Sequence, residues 1–280
     1  MHRAVKPRLI LQSFSTQSPS RLSHPSPATY PSIPRTPIDD SLPPLNAGQS
    51  LKLTPEALSV YRARLAAHVD STPCPRWRYK GPENTTWRHA GVCIPLVNLA
   101  KDGGEPSVLL TVRSSTLRRN GGEVAFPGGS QDPGDRTMVD TALRETEEEV
   151  GIPADSVDVL GVFHPLPDRS HTILIHPVLC HVPSLQSLSD LACNPEEVSE
   201  AFTVPLAQLL CMGTHVERLR GGPRNVRNWH VDGRKIWGLS AWILEGVLKE
   251  VIAPGGVMGC DVWSHKQATG HSARASESNI

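Results

Sequence analysis

The sequence predicts an α+β layered domain over residues 85–253. Three observations carry that expectation. Short β-rich runs are bounded by Gly, Pro or Asp, one strongly acidic helical stretch lies among them, and a final amphipathic helix follows an Asp-Gly hairpin turn. The chain has 280 residues, enough for one large domain or a medium one with extensions. Its 28 basic residues cancel 28 acidic ones, so no net field steers it to nucleic acid or to an anionic membrane. Its apolar runs fall well short of the ~20 residues that cross a bilayer, so membrane insertion is not expected. Six cysteines without a CxxC pair read as reduced, mostly buried thiols.

Taken in order, residues 1–47 form an expected disordered segment and linker. The first 38 residues contain no Asp or Glu, five basic residues, seven serines and seven prolines. That composition is typical of a mitochondrial transit peptide, although Pro7 interrupts the only stretch able to form an amphipathic helix. Residues 48–84 are a lead-in to the domain. Thr54 is a candidate N-cap, Pro55 opens the helix, and Leu58, Tyr61, Leu65 and Val69 recur at helical spacing. Strands are expected over residues 90–97, 108–112, 123–126, 157–163 and 172–182. Asp232-Gly233 joins a hairpin of 226–231 and 234–239. A closing helix has Ser240 as its cap and Leu244, Val247, Leu248 and Val251 as its apolar stripe. Residues 254–280 lack periodicity and read as a flexible tail.

The informative segment runs from Gly128 to Ile152. Pro133-Gly134 makes a turn, Asp135 or Asp140 is placed to cap, residues 137–150 are helical, and Gly151 supplies a left-handed stop. At ~100° per residue, Val139, Ala142, Leu143, Thr146 and Val150 share a core-facing arc. Glu145, Glu148 and Glu149 share a second arc, Arg144 sits beside Glu148, and Glu147 points away. Four glutamates within five residues at a helix C-terminus oppose the macrodipole and repel one another. Arg144 serves one carboxylate but not three, whereas a divalent cation serves the whole trio. Oxygen ligands without His or Cys suit Mg²⁺ or Mn²⁺ rather than Zn²⁺. Such a face is also consistent with an ordinary solvated surface.

Upstream, residues 123–129 form a strand that ends in the Gly128-Gly129 turn. Together, Gly129, Asp135, Arg144-Glu145, Glu148-Glu149 and Gly151-Ile152 resemble the Nudix box, G-x5-E-x7-RE-U-x-EE-x-G-U. There are two departures. Asp135 stands in place of Glu, with eight rather than seven residues before Arg144, and Thr146 takes an aliphatic position. The resemblance implies a Nudix-type α/β/α sandwich with a mixed sheet and the acidic box helix at the active site. It also implies hydrolysis of a nucleoside diphosphate linked to another group, with Glu145, Glu148 and Glu149 as metal ligands and Arg144 orienting them.

A second segment narrows the substrate. Leu109-Leu110-Thr111-Val112-Arg113-Ser114, Leu117-Arg118 and Gly122 to Gly129 resemble the LLTxRS…LR…GxVxFPGG signature of the coenzyme A diphosphatase branch, closest to its eukaryotic organellar members. Asn120 stands where that branch often has His. Segments 194–198, 204–206 and 236–239 are also similar. The resemblance covers residues 87–252 and implies CoA or acyl-CoA as the small-molecule substrate, cut to 3′,5′-ADP and (acyl-)4′-phosphopantetheine. Arg113, Ser114, Arg118, Phe126, Gly128 and Gly129 are the candidate substrate-binding residues, with Arg119 nearby. Arg suits bidentate phosphate contacts. Trp87, Trp229 and Trp237 are alternatives for stacking adenine, and His164, His171, His176 and His181 read as packing or polar-face residues. A glutamate of the trio, or Glu197 on a later loop, is placed to accept the proton. The rival readings are a Nudix hydrolase of ADP-ribose, NADH or a nucleotide cap, and a non-catalytic Nudix binding module. Mitochondrial localisation is expected, with peroxisomal or cytosolic location as the alternatives. The chain does not end in a Ser-Lys-Leu-type peroxisomal signal.

Overall fold

A computed structural model describes residues 51–70, 87–168, 170–212, 215–218 and 225–254. The expected N-terminal targeting segment and C-terminal tail lie outside the described residues. In chain order the elements are α1 (Pro55–Asp70), β1 (Arg88–Asn98), β2 (Pro106–Arg113), β3 (Val124–Ala125), β4 (Gly128–Ser130), α2 (Met138–Val150), β5 (Asp158–Val162), β6 (Leu166–Pro167), β7 (Ile173–His181), β8 (Val198–Pro205), α3 (Leu206–Cys211), β9 (His215–Arg218), β10 (Asn225–Val231), β11 (Arg234–Ile236) and α4 (Gly238–Val247). A π-helical turn, Leu248–Ile252, extends α4.

β1 is the centre of an eight-stranded mixed sheet. It runs parallel to β7 along its length and antiparallel to β4 at one end and β2 at the other. β2 also pairs with β3 and β8, and β7 with β5 and β6. The alternation of β1 and β7 divides the sheet into two faces. Ile94, Leu96 and Leu179 join the main core with α1 and α4. Cys93, Val178 and Cys180 face the other way and pack under Ala142 of α2. The result is the expected α/β/α layering, with thiols at Cys93 and Cys180 fully buried and unpaired by any disulfide.

Several expectations need adjusting. The lead-in helix is part of the core: Leu58, Tyr61 and Leu65 are buried in it. Arg62 forms a bidentate pair with Asp158 at 2.5 and 2.6 Å and donates to the Val159 carbonyl at 2.7 Å. Thr54 caps this helix as expected, accepting from the Ala57 N–H at 3.3 Å. The side chain of Val69 lies outside the described residues. Ser240 does not cap α4, which starts two residues earlier. Its hydroxyl donates to the Val124 carbonyl at 2.9 Å and ties α4 to β3. Strand β8 was visible in the sequence only as similar segments at its two ends. It lies antiparallel alongside β2. The Asp232-Gly233 turn forms as expected, with φ of 47° and 77°, and pairs Val231 with Arg234.

Candidate active site

The acidic helix begins at a capping box. The Thr137 hydroxyl accepts from the Asp140 N–H and the Asp140 carboxylate accepts from the Thr137 N–H, both at 3.1 Å. The cap is therefore Thr137, with Asp140 as its reciprocal partner, rather than either aspartate alone. Gly151, at φ 72°, ends the helix and donates to the Glu147 carbonyl at 3.0 Å. Ala142, Thr146 and Val150 are buried as the wheel requires, and Val139 and Leu143 are half-buried. Helix and sheet approach closely at Gly91 of β1, where a Cβ would lie 2.5 Å from the Met138 carbonyl oxygen.

Arg144 anchors the turn before the helix. Its Nε and Nη2 donate to the two oxygens of Asp135 at 3.1 and 3.0 Å, and Nη2 also reaches the Ser130 carbonyl at 3.1 Å. Its Nη1 donates to Glu148 and contacts Glu145, each at 3.0 Å. Asp135 in turn accepts from the Thr141 hydroxyl and the Asp132 N–H, both at 2.9 Å. Its bond with Arg144, more than any other contact, holds its carboxyl below the usual range. The shorter aspartate and the extra loop residue thus still deliver a bidentate partner to Arg144. Every guanidinium nitrogen of Arg144 is engaged by an oxygen of the protein, so it is a positioning residue.

The glutamates divide unevenly. Glu149 is only 3% exposed, whereas the Glu148 side chain is 54% exposed and bound to Arg144. The carboxylates that converge are Glu145, Glu149 and Glu197, whose oxygens lie within 4.8 Å of one another. Glu148, expected in the trio, lies outside this convergence, and Glu197 stands within it. A hydrogen-bonded turn delivers it. The Asn194 N–H donates to the Glu149 carbonyl at 2.9 Å, the Glu197 N–H to the Asn194 carbonyl at 3.1 Å, and the Ser114 N–H to the Glu197 carbonyl at 2.8 Å. The loop is fastened both to the end of α2 and to the end of β2.

Burial pushes the Glu149 carboxyl up to about 7, opposed by Arg113 and the Gly128 N–H and reinforced by Glu145 and Glu197. Burial also raises Glu145, against the pull of Arg144. Glu149 Oε2 accepts from the Gly128 N–H at 3.3 Å, and its Oε1 lies 3.7 Å from Arg113 Nη1. Three crowded carboxylates with two raised pKa values and no nitrogen or sulfur donor fit a hard divalent cation.

The candidate substrate residues separate by place. Arg113 reaches Glu149 directly. Gly128 and Gly129 line the cluster, and a Cβ on Gly129 would meet the Glu145 carboxylate at 2.5 Å. Arg118 is exposed on the loop between β2 and β3, and Ser114 is buried with its hydroxyl 2.9 Å from that of Thr116. Phe126 is 4% exposed and sits in the main core, so its contribution is packing rather than contact with a ligand. Trp229 is fully buried and donates to the Leu209 carbonyl at 3.1 Å. Trp237 lies beside the Lys235 ammonium, and Trp87 is half-buried. His176 is buried, with its Nε2 3.0 Å from His89 Nδ1, and burial lowers its pKa to about 4.

The NUDIX domain family model matches residues 87–229. An uncharacterized Nudix hydrolase, NudL, of Photorhabdus laumondii is 41% identical over 168 residues, covering 59% of this chain and 85% of that protein. NudL of Yersinia enterocolitica is 41% identical over 167 residues, covering 58% and 81% respectively. Among solved structures, a C. elegans Ap4A hydrolase binary complex shares 18% identity, covering 42% of this chain and 80% of that chain, with a TM-score of 0.34.

Proposed function

The chain belongs to the NUDIX family, and on that premise we propose that it hydrolyses the pyrophosphate bond of coenzyme A or acyl-CoA, releasing 3′,5′-ADP and (acyl-)4′-phosphopantetheine. The coarser activity is that of the family, a pyrophosphohydrolase of nucleoside diphosphate derivatives that works with divalent metal ions. The observation that carries the chemistry is the convergence of Glu145, Glu149 and Glu197. These three would hold Mg²⁺ or Mn²⁺. When bound, such ions neutralise diphosphate oxygens and make a water more acidic.

The chain's own residues supply the rest. Arg144 holds Glu145 in place and, through Asp135, fixes the loop that carries Gly129. The Gly128 N–H orients Glu149. Arg113 stands at the cluster with its side chain about a quarter exposed, suited to a diphosphate oxygen. Glu197, through the oxygen it does not offer to a cation, or another glutamate of the cluster would take the proton of the attacking water. Within the family, CoA is supported by the likeness of residues 109–129 to the CoA-cleaving branch. That stretch runs from β2 through the Arg118 loop to the glycine turn beside the carboxylates. Phosphates beyond the scissile pair, including the 3′-phosphate of CoA, would meet Arg118 and Arg119.

The experiment is product analysis. The protein with Mg²⁺ or Mn²⁺ is incubated with CoA, acyl-CoAs, ADP-ribose and NADH, and the products are resolved by chromatography. Formation of 3′,5′-ADP at a kcat/KM above that for the other substrates supports the proposal, and preference for ADP-ribose or NADH rejects it. We also propose mitochondrial delivery, supported by the acid-free, Arg- and Ser-bearing residues 1–38. Residues 1–47 fused to a fluorescent protein should reach mitochondria, and cytosolic fluorescence would reject this.

A further inference from the structure

The two arginines at the carboxylate cluster are held very differently. Arg144 has a partner on every guanidinium nitrogen: Asp135 on Nε and Nη2, Ser130 on Nη2, and Glu148 and Glu145 on Nη1. Arg113 has one side-chain contact among the described residues, the ion pair to Glu149 Oε1 at 3.7 Å. That distance is too long for a hydrogen bond, so the attraction is coulombic and undirected. The Arg113 side chain is also 27% exposed, while that of its carboxylate partner is 4% exposed.

The backbone of Arg113 is, by contrast, fixed. Its N–H donates to the Glu123 carbonyl at 3.0 Å, and its carbonyl accepts from the Gly122 N–H at 2.9 Å. The pairing of β2 with β8 shifts register between Val112 and Arg113, which turns this side chain at the strand end. Next to it, the Ser114 N–H is bonded to the Glu197 carbonyl. A rigid stem thus carries a loosely held positive head over a buried carboxylate, and that carboxylate belongs to the cluster suited to a cation.

We infer that Arg113 is an exchangeable counter-ion, which neutralises Glu149 while the cluster is free of metal and transfers to the diphosphate of the substrate once cations occupy the carboxylates. The inference rests on the cation-binding reading of Glu145, Glu149 and Glu197. A dication held by Glu149 and a guanidinium beside the same oxygen repel each other in a site of reduced dielectric. The Arg113 side chain is partly exposed and has only the 3.7 Å ion pair to lose, so it is the group that moves. An anionic diphosphate arriving with the cations gives it a stronger, bidentate partner. Arg113 therefore weakens metal binding by the empty site and strengthens binding of the substrate by the loaded site. The two effects have opposite sign and come from one side chain.

The test uses the full chain, stripped of metal, with Arg113→Gln and Arg113→Lys. Isothermal titration measures Mn²⁺ binding without any nucleotide, and then binding of methylenediphosphonate at saturating Mn²⁺. Circular dichroism verifies that both variants keep the fold. The expected result for Arg113→Gln is Mn²⁺ binding tighter by on the order of tenfold, with diphosphonate binding weaker by a similar factor. Arg113→Lys retains the charge and should keep Mn²⁺ affinity within about threefold of the wild type. Unchanged or weaker Mn²⁺ binding by a folded Arg113→Gln protein overturns the exchange while leaving the metal site standing. Should the wild type take up no Mn²⁺, the cation-binding reading falls and the exchange falls with it.

Discussion

Glu148 and Glu149 are chain neighbours on one helix, with the same side chain and the same place in the acidic run. One lies more than half exposed against Arg144. The other is sealed between the glycine turn and Arg113, and burial lifts its pKa to about 7. The difference teaches that proximity along a helix does not define a cation site. What defines it is which carboxylates are held out of water together, and here the third member comes from a loop 48 residues after Glu149.

Activity measurements offer the largest effects with which to break that comparison. Glu149→Gln and Glu145→Gln should each lower kcat by about 10³-fold or more with the fold intact by circular dichroism. Glu197→Gln should cost about 10²-fold, and Glu148→Gln on the order of tenfold or less. Equal losses at Glu148 and Glu149 in steady-state kinetics would show that burial is not what separates them.

The next test acts through Arg144. Asp135→Asn removes a charge that fixes the guanidinium, which makes a two-point contact with Asp135. It should lower kcat by about tenfold and, separately, cost ~1–2 kcal/mol of stability, read from metal-free chemical denaturation. Because Arg144 holds Asp135 below its unfolded pKa, the stability from this pair is present above the unfolded value and lost as the pH falls through the folded one. Full stability and activity in the variant would mean that the loop does not depend on this contact.

A smaller effect has the opposite sign. Glu149 is raised from 4.5 to about 7, so its stabilising contribution in metal-free protein is present below 4.5 and lost as the pH rises through about 7. Glu149→Gln should therefore stabilise metal-free protein above pH 7, by at most on the order of 3 kcal/mol of unfolding free energy read from chemical denaturation. Mn²⁺ requires the ionised carboxylate, so wild-type affinity should fall as the pH drops below about 7. A pH-independent affinity between 6 and 8, both flanking that value by about one unit, would contradict the assigned burial effect.

Much of this arrangement was legible in the sequence. The α2 stripe, its Gly151 stop and the Asp-Gly hairpin follow from periodicity and turn chemistry, which act over a few residues. The orienting role of Arg144 comes from the likeness to the Nudix box, since the residues alone say only that it can serve one carboxylate. The choice between Glu148 and Glu197 was not readable. A helical wheel ranks angles along one axis, whereas the sheet decides which side of that arc is covered, and the Asn194–Glu149 backbone bond that delivers Glu197 is a tertiary contact. Phe126 illustrates the same limit. Its position in the glycine-rich segment resembled a binding motif, but it follows directly on β3 and packs in the main core with Val124.

The most direct measurement of the central claim is Mn²⁺ titration of metal-free wild type, Glu197→Gln and Glu148→Gln under identical conditions. The account predicts at least about tenfold weaker binding for Glu197→Gln and a change within about threefold for Glu148→Gln, because ligand charge sets the affinity of an oxygen site. Weaker binding for Glu148→Gln with Glu197→Gln unaffected would contradict it.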